Sequence, residues 1–140
     1  MTIQEIEKEI EDEFSMFDDW MEKYNYLIEL GETCPIIDEK DKIEANLIKG
    51  CQSKVWVSCK MNGDVMDIKA DSDAVITKGI ITLLLRVFNH QKPEDVQNAD
   101  LHFIDTIGLT KHLSPTRSNG LLAMIKQIKL YAMAFTLKQN

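Results

Sequence analysis

One short segment of this 140-residue chain gathers residue types able to do chemistry: Ile48-Lys49-Gly50-Cys51-Gln52-Ser53-Lys54-Val55-Trp56. A cysteine directly after a glycine, between two expected strands, is presented by a tight backbone path, with flanking N–H groups able to face the sulfur. Lys49 and Lys54 bring positive charge close, which is expected to favour thiolate, the nucleophilic form. The competing reading is a free cysteine that serves as a small buried hydrophobe. Local chemistry alone leaves both open.

The other candidate groups are scattered. Cys34 and Cys59 make no CxxC pair with Cys51, so neither a zinc ribbon nor a thioredoxin-type site is suggested. Cys59 alternates with Val55 and Val57 and is expected in the core. Cys34 precedes Pro35 in an expected exposed loop, from which it would be able to resolve a Cys51 persulfide as a disulfide. A metal or iron–sulfur scaffold using Cys34, Cys51 and Cys59, with His112, stays open as the alternative, although no local chelating pair supports it. A cysteine hydrolase with His112 as base has no local signature either, and His90, His102 and His112 all fall in or near expected loops. Met16, Met21, Met124 and Met133 sit at helical spacings and are expected in the core rather than as ligands. Trp56 is expected to pack on the sheet.

The elements that must hold Cys51 follow from periodicity and capping. Thr2 with Glu5 is a capping-box pattern, and Ile3, Ile6, Ile10 and Phe14 follow at helical spacing. Ser15 or Asp18 is expected to cap a second helix carrying Trp20, Tyr24, Leu27 and Ile28 and ending at Gly31. From residue 42 the period becomes two: Ile43, Ala45 and Leu47 predict a first strand, and Val55, Val57 and Cys59 a second. Asn62-Gly63 predicts a two-residue hairpin turn into a third strand with Met66, Ile68 and Ala70 inward. Ser72 or Asp73 is expected to cap a helix through 74–88 that is apolar nearly all round and therefore buried. A short helix or turn is expected over Pro93–Ile107. After Ser114-Pro115 a last helix buries Leu121, Ile125, Ile128, Ala132 and Phe135. The expected fold class is α+β, a three-stranded antiparallel sheet flanked by helices, in one domain spanning 1–140.

Charge narrows the function classes. The net charge is −7, and residues 1–44 hold 15 of the 23 acids against four lysines. An acidic chain without a basic stripe is a poor nucleic-acid binder. The first residues, Met-Thr-Ile-Gln-Glu-Ile-Glu, lack the character of a signal or transit peptide. The longest apolar run, Gly79 to Phe88, is too short to span a bilayer. The expectation is a cytoplasmic protein with reduced thiols and no membrane partner.

Gly50-Cys51-Gln52-Ser53-Lys54-Val55-Trp56 resembles the active-cysteine motif of the SufE family of sulfur acceptors. Asp71-Ser72-Asp73-Ala74 with Lys78-Gly79-Ile80, Leu113-Ser114-Pro115-Thr116-Arg117-Ser118-Asn119-Gly120-Leu121, and Tyr24-Asn25-Tyr26-Leu27-Ile28-Glu29-Leu30-Gly31 resemble further segments of that family, in the same order. The resemblance implies a SufE/IscU-like fold and an accessory protein rather than an enzyme. It implies that Cys51 accepts persulfide sulfur from a SufS-like, pyridoxal-phosphate cysteine desulfurase. The sulfur then passes to a SufBCD-type iron–sulfur scaffold, with no cofactor of the chain's own; a homodimer is left open. Gly50 and Gln52 would then shape the acceptor loop. Asp73, otherwise a plain helix cap, would lie near that loop. Arg117 would pair with an acid of the partner or fix the loop, unless it is an ordinary surface arginine.

Overall fold

The computed structural model describes residues 1–139. The chain opens with α1 (Ile3–Phe14), whose capping box is complete: the Thr2 hydroxyl accepts from the Glu5 N–H and Glu5 accepts from the Thr2 N–H. Helix α2 (Trp20–Gly31) is capped by Asp19, one residue beyond the expected candidates, through the Glu22 N–H at 2.9 Å. Gly31 does close α2, but not as a left-handed terminator. It is buried against the helix after the sheet, where a Cβ would come within 3.1 Å of the Gly79 nitrogen.

The sheet has two strands, not three. β1 (Val55–Asn62) pairs antiparallel with β2 (Val65–Ser72). The turn lies one residue later than expected: Asn62 pairs with Val65, so Gly63-Asp64 forms the loop and only Gly63 has positive φ, +66°. Glycine first in a two-residue loop is the arrangement that suits a type II′ turn. The segment expected as a strand instead winds into a 3-10 turn, Glu44–Asn46, and contributes one isolated bridge, Leu47 to Trp56. Ile43 and Ala45 are both exposed, so the alternation had no apolar face to bury. The outer edge of β2 is closed piecemeal. Ala70 bonds Pro35 and Ile37, the Asn89 amide grips both backbone groups of Ile68, and Met66 bonds His90 and Gln91. A covered edge cannot recruit another chain.

Val55, Val57, Met66, Ile68 and Ala70 are fully buried from the sheet's inner face. Against them lies α3 (Val75–Phe88), buried on almost every side as expected. It crosses α2 so closely that a Cβ on Gly79 would stand 2.2 Å from the Leu27 carbonyl oxygen. Arg86 of α3 ties to α1 by a forked ion pair with Glu13, which also accepts from the Tyr26 hydroxyl. Short helices α4 (Pro93–Gln97), α5 (Phe103–Thr106) and α6 (Leu109–His112) lead to α7 (Pro115–Gln139). Pro115 takes the first helical position, where its missing N–H costs nothing, and the Ser114 hydroxyl accepts from the Arg117 N–H at 3.2 Å. By length and composition residues 115–138 are apolar enough to cross a bilayer. Here Leu121, Met124, Ile128 and Ala132 face the core, while Ile125 and Phe135 only border it. Met16, Met21 and Met133, expected inside, are exposed.

Candidate functional site

The loop before β1 carries Cys51 across the N-terminal half of α7, and two glycines from different elements allow the approach. Gly50 has φ +95°, a conformation that L side chains rarely adopt, and its Cα faces the Ala123 methyl. Gly120 is buried beneath the thiol, where a Cβ would stand 3.4 Å from Cys51 Sγ. The Cys51 thiol points at the Gly120 carbonyl oxygen, 3.6 Å away. It also faces a small cavity of about 80 Å³ between the loop, α3 and α7, walled by Thr77, Ile80, Gly120 and Met124, with Thr116 and Arg117 at its side.

Cys51 is half-buried, and burial alone pushes its thiol above the ordinary cysteine range. Lys49 and Lys54, expected to favour thiolate, do not offset this: both are exposed in water, where their charge is heavily screened. The resting sulfur is therefore a protonated thiol at neutral pH.

The far end of the loop is fastened to the sheet–helix junction. Asp73 Oδ1 accepts from the Lys54 N–H at 3.0 Å, and the Lys54 carbonyl accepts from the Ser72 hydroxyl at 2.9 Å and the Asp73 N–H at 3.2 Å. Asp73 is thus no helix cap. Ala74 occupies that position in α3 and no side chain caps the helix. The carboxylate has turned to the loop because the Lys54 N–H, just before β1 begins, has no ladder partner.

Arg117 lies beside the cavity, and its Nη1 donates to the Tyr24 hydroxyl at 2.9 Å. Tyr24 in turn neighbours Trp20, which stacks on the His112 ring with centroids 4.2 Å apart and planes 18° from parallel. His112 is engaged as an aromatic slab on α2, an odd place for a general base. His102 sits elsewhere, between Glu7 and Glu11. Gln52 is exposed at the cavity rim, and Ser53 lines it.

The three cysteines do not converge. Cys34, expected to be exposed, is buried and directs its thiol to the Ala70 carbonyl at 3.5 Å, a position closed to disulfide exchange. Cys59 is half-buried on β1, and burial, with Asp67 nearby, pushes its thiol up to about 12. Among the described residues no three His, Cys, Asp or Glu side chains gather as a metal set would.

Of the residues singled out from the sequence, Gly50, Cys51, Gln52 and Arg117 lie in the cavity wall or in the loop that closes it, while Asp73 lies outside both, at the junction of β2 and α3, and bonds the end of the loop. Thr77, Ile80 and Met124 were not foreseen as cavity walls, and Tyr24 was not foreseen as the partner of Arg117. Nothing in their spacing distinguishes a side chain facing a cavity from one packed in the core.

The family model for the SufE Fe–S metabolism associated domain matches residues 8–132. Among solved structures, the solution structure of a hypothetical protein from Thermus thermophilus superposes with a TM-score of 0.77 at 19% identity, covering 92% of this chain and 94% of that one. At that identity the likeness speaks for the fold alone. The match over most of the chain's length shows that it belongs to the SufE family, the Fe–S metabolism associated domain.

Proposed function

We propose that this protein is a sulfur carrier. It takes sulfane sulfur onto Cys51 from the persulfide of a SufS-like cysteine desulfurase, so stimulating that enzyme, and passes it to a SufBCD-type iron–sulfur scaffold in the cytoplasm. The observation that carries this reading is the setting of Cys51. Among the described cysteines, Cys51 alone follows a positive-φ glycine in a loop, and its thiol lies half-sheltered over a cavity, with a few polar contacts tethering the loop. A structural cysteine needs no such hinge, and a metal ligand would have companions.

The chemistry is thiol–disulfide exchange. Cys51 gives up its proton and its sulfur bonds to the outer sulfur of the donor persulfide. The donor's S–S bond breaks, and the bonding pair leaves on the donor cysteine as thiolate. No net oxidation occurs, and the protein supplies no cofactor. Because the two sulfurs must touch, the loop has to leave α7 when the partner docks. Asp73 holds the closed form, and Arg117, beside the same opening, is available to an acidic group of the partner.

The test is mass spectrometry after incubation with a cysteine desulfurase and cysteine, with gain of one sulfur on Cys51 expected. Cys51→Ser, which changes little packing on a surface loop, should fold normally and abolish stimulation of desulfurase turnover. Full stimulation by the folded mutant would sink the carrier reading.

A further inference from the structure

Thr77, in the first turn of α3, is only 7% exposed. Its hydroxyl makes no hydrogen bond among the described residues, whereas Thr82, further along the same helix, gives its own to the Lys78 carbonyl at 2.7 Å. The Thr77 side chain lines the cavity that Cys51 faces, next to Ile80 and Met124, both 2% exposed. That cavity measures about 80 Å³, and one water-sized group needs only about 10–15 Å³ by the same kind of measure. There is room for one more sulfur atom.

Loading would invert the hydrogen-bonding character of Cys51. The resting thiol donates, and its acceptor is the Gly120 carbonyl. Once the inner sulfur is bonded to a second sulfur it has no proton to give. The outer sulfur, ionised, is an acceptor that requires donors. We infer that Thr77 is the positioning residue of the loaded state, its hydroxyl donating to the outer sulfur of a Cys51 persulfide held in this cavity. The inference rests on the carrier reading. It adds that the cavity distinguishes loaded from unloaded carrier through a hydroxyl that has no task in the unloaded one.

The experiment loads wild type, Thr77→Val and Thr77→Ser with inorganic polysulfide. Cys51 sulfur bonds to a polysulfide sulfur, the adjacent S–S bond breaks, the shortened polysulfide leaves with the electron pair, and the thiol proton goes to solvent. After desalting, transfer of the outer sulfur to cyanide is timed as thiocyanate, with loading confirmed by intact mass. Loss of one hydrogen bond to a charged acceptor should make Thr77→Val release its sulfur about tenfold faster, with Thr77→Ser near wild type. Alkylation of unloaded Cys51 should proceed at one rate in all three. Equal release from wild type and Thr77→Val overturns the inference. So does a Thr77→Val in which loaded and unloaded rates rise by the same factor, which is a loosened loop. Should valine prevent folding, Thr77→Ala removes the same hydroxyl and is read by the same criteria. Because polysulfide replaces the desulfurase, failure of the enzyme to deliver sulfur counts against the carrier reading alone. A Cys51 that holds no sulfur from polysulfide overturns both.

Discussion

The contact between Asp73 and the Lys54 N–H invites removal, because it is one of three polar contacts at the end of the Cys51 loop and the only one made by a charged group. Asp73→Ala deletes the acceptor and leaves both bonds to the Lys54 carbonyl. A buried hydrogen bond to a charged group contributes roughly 1.5–3 kcal/mol. Asp73 is exposed, so water competes for both partners, and about 1 kcal/mol is the appropriate figure. That corresponds to about a fivefold rise in the open population of the loop. Opening is expected to be fast relative to alkylation, so the rate reports the open fraction, as in local-opening exchange.

The assay is pseudo-first-order alkylation of Cys51, followed by intact mass in a Cys34→Ala, Cys59→Ala background. Asp73→Ala should react about fivefold faster than its parent. Asp73→Asn, which keeps an acceptor oxygen without the charge, should fall between them. Although Asp73 does not cap α3, the same contact is lost from the closed native form, so the thermal midpoint should fall by only about 3 °C. An unchanged rate in folded Asp73→Ala refutes the latch. A parent that already reacts like a free peptide thiol would mean there is no closed state to release.

Other perturbations test the surrounding structure. Because burial raises the Cys51 pKa, its alkylation rate should climb with pH to a midpoint above the roughly 8.5 of a free cysteine; a midpoint at or below that value would mean the lysines govern the thiol after all. Cys34→Ala and Cys59→Ala should each keep sulfur acceptance while losing about 1 kcal/mol in denaturant melts, and a folded mutant unable to load Cys51 would revive the multi-cysteine scaffold. Gly79→Ala forces a methyl into the Leu27 carbonyl and should cost at least roughly 1–3 kcal/mol, or prevent folding; near-neutral stability would contradict the α2–α3 crossing.

Helices with a continuous apolar stripe and the Val55–Ala70 hairpin were legible because burial and period agree there. The failures have local causes. Ile43, Ala45 and Leu47 alternate like a strand, yet three residues of alternation cannot tell a buried face from chance, and two of the three are exposed. Gly31 looked like a terminator, but its missing side chain serves contact with Gly79, a partner 48 positions away that no local pattern reveals. Asp73 has the right type and place for a cap, and only the unpaired Lys54 N–H decides that it bonds elsewhere. Cys34 was misjudged because a Cys-Pro step reads as loop, whereas residues 35–37 close the edge of β2 and bury the thiol.

How reactivity is controlled follows from the electrostatics of the loop. A thiolate poised by neighbouring lysines would be nucleophilic at all times, and equally open to oxidation. Lys49 and Lys54 flank Cys51 in sequence but project into solvent, while the sulfur turns inward onto Gly120. Burial then disfavours the charged form, so the resting thiol is a poor nucleophile. On the carrier reading proposed above, a movement that brought Cys51 to a partner's persulfide would return it to water and to the neighbourhood of both lysines, removing the burial penalty as delivery began. Reactivity is set by position rather than by a fixed charge beside the sulfur. The few polar contacts at Lys54 and the cavity beneath the thiol are the features that selection would tune to change it.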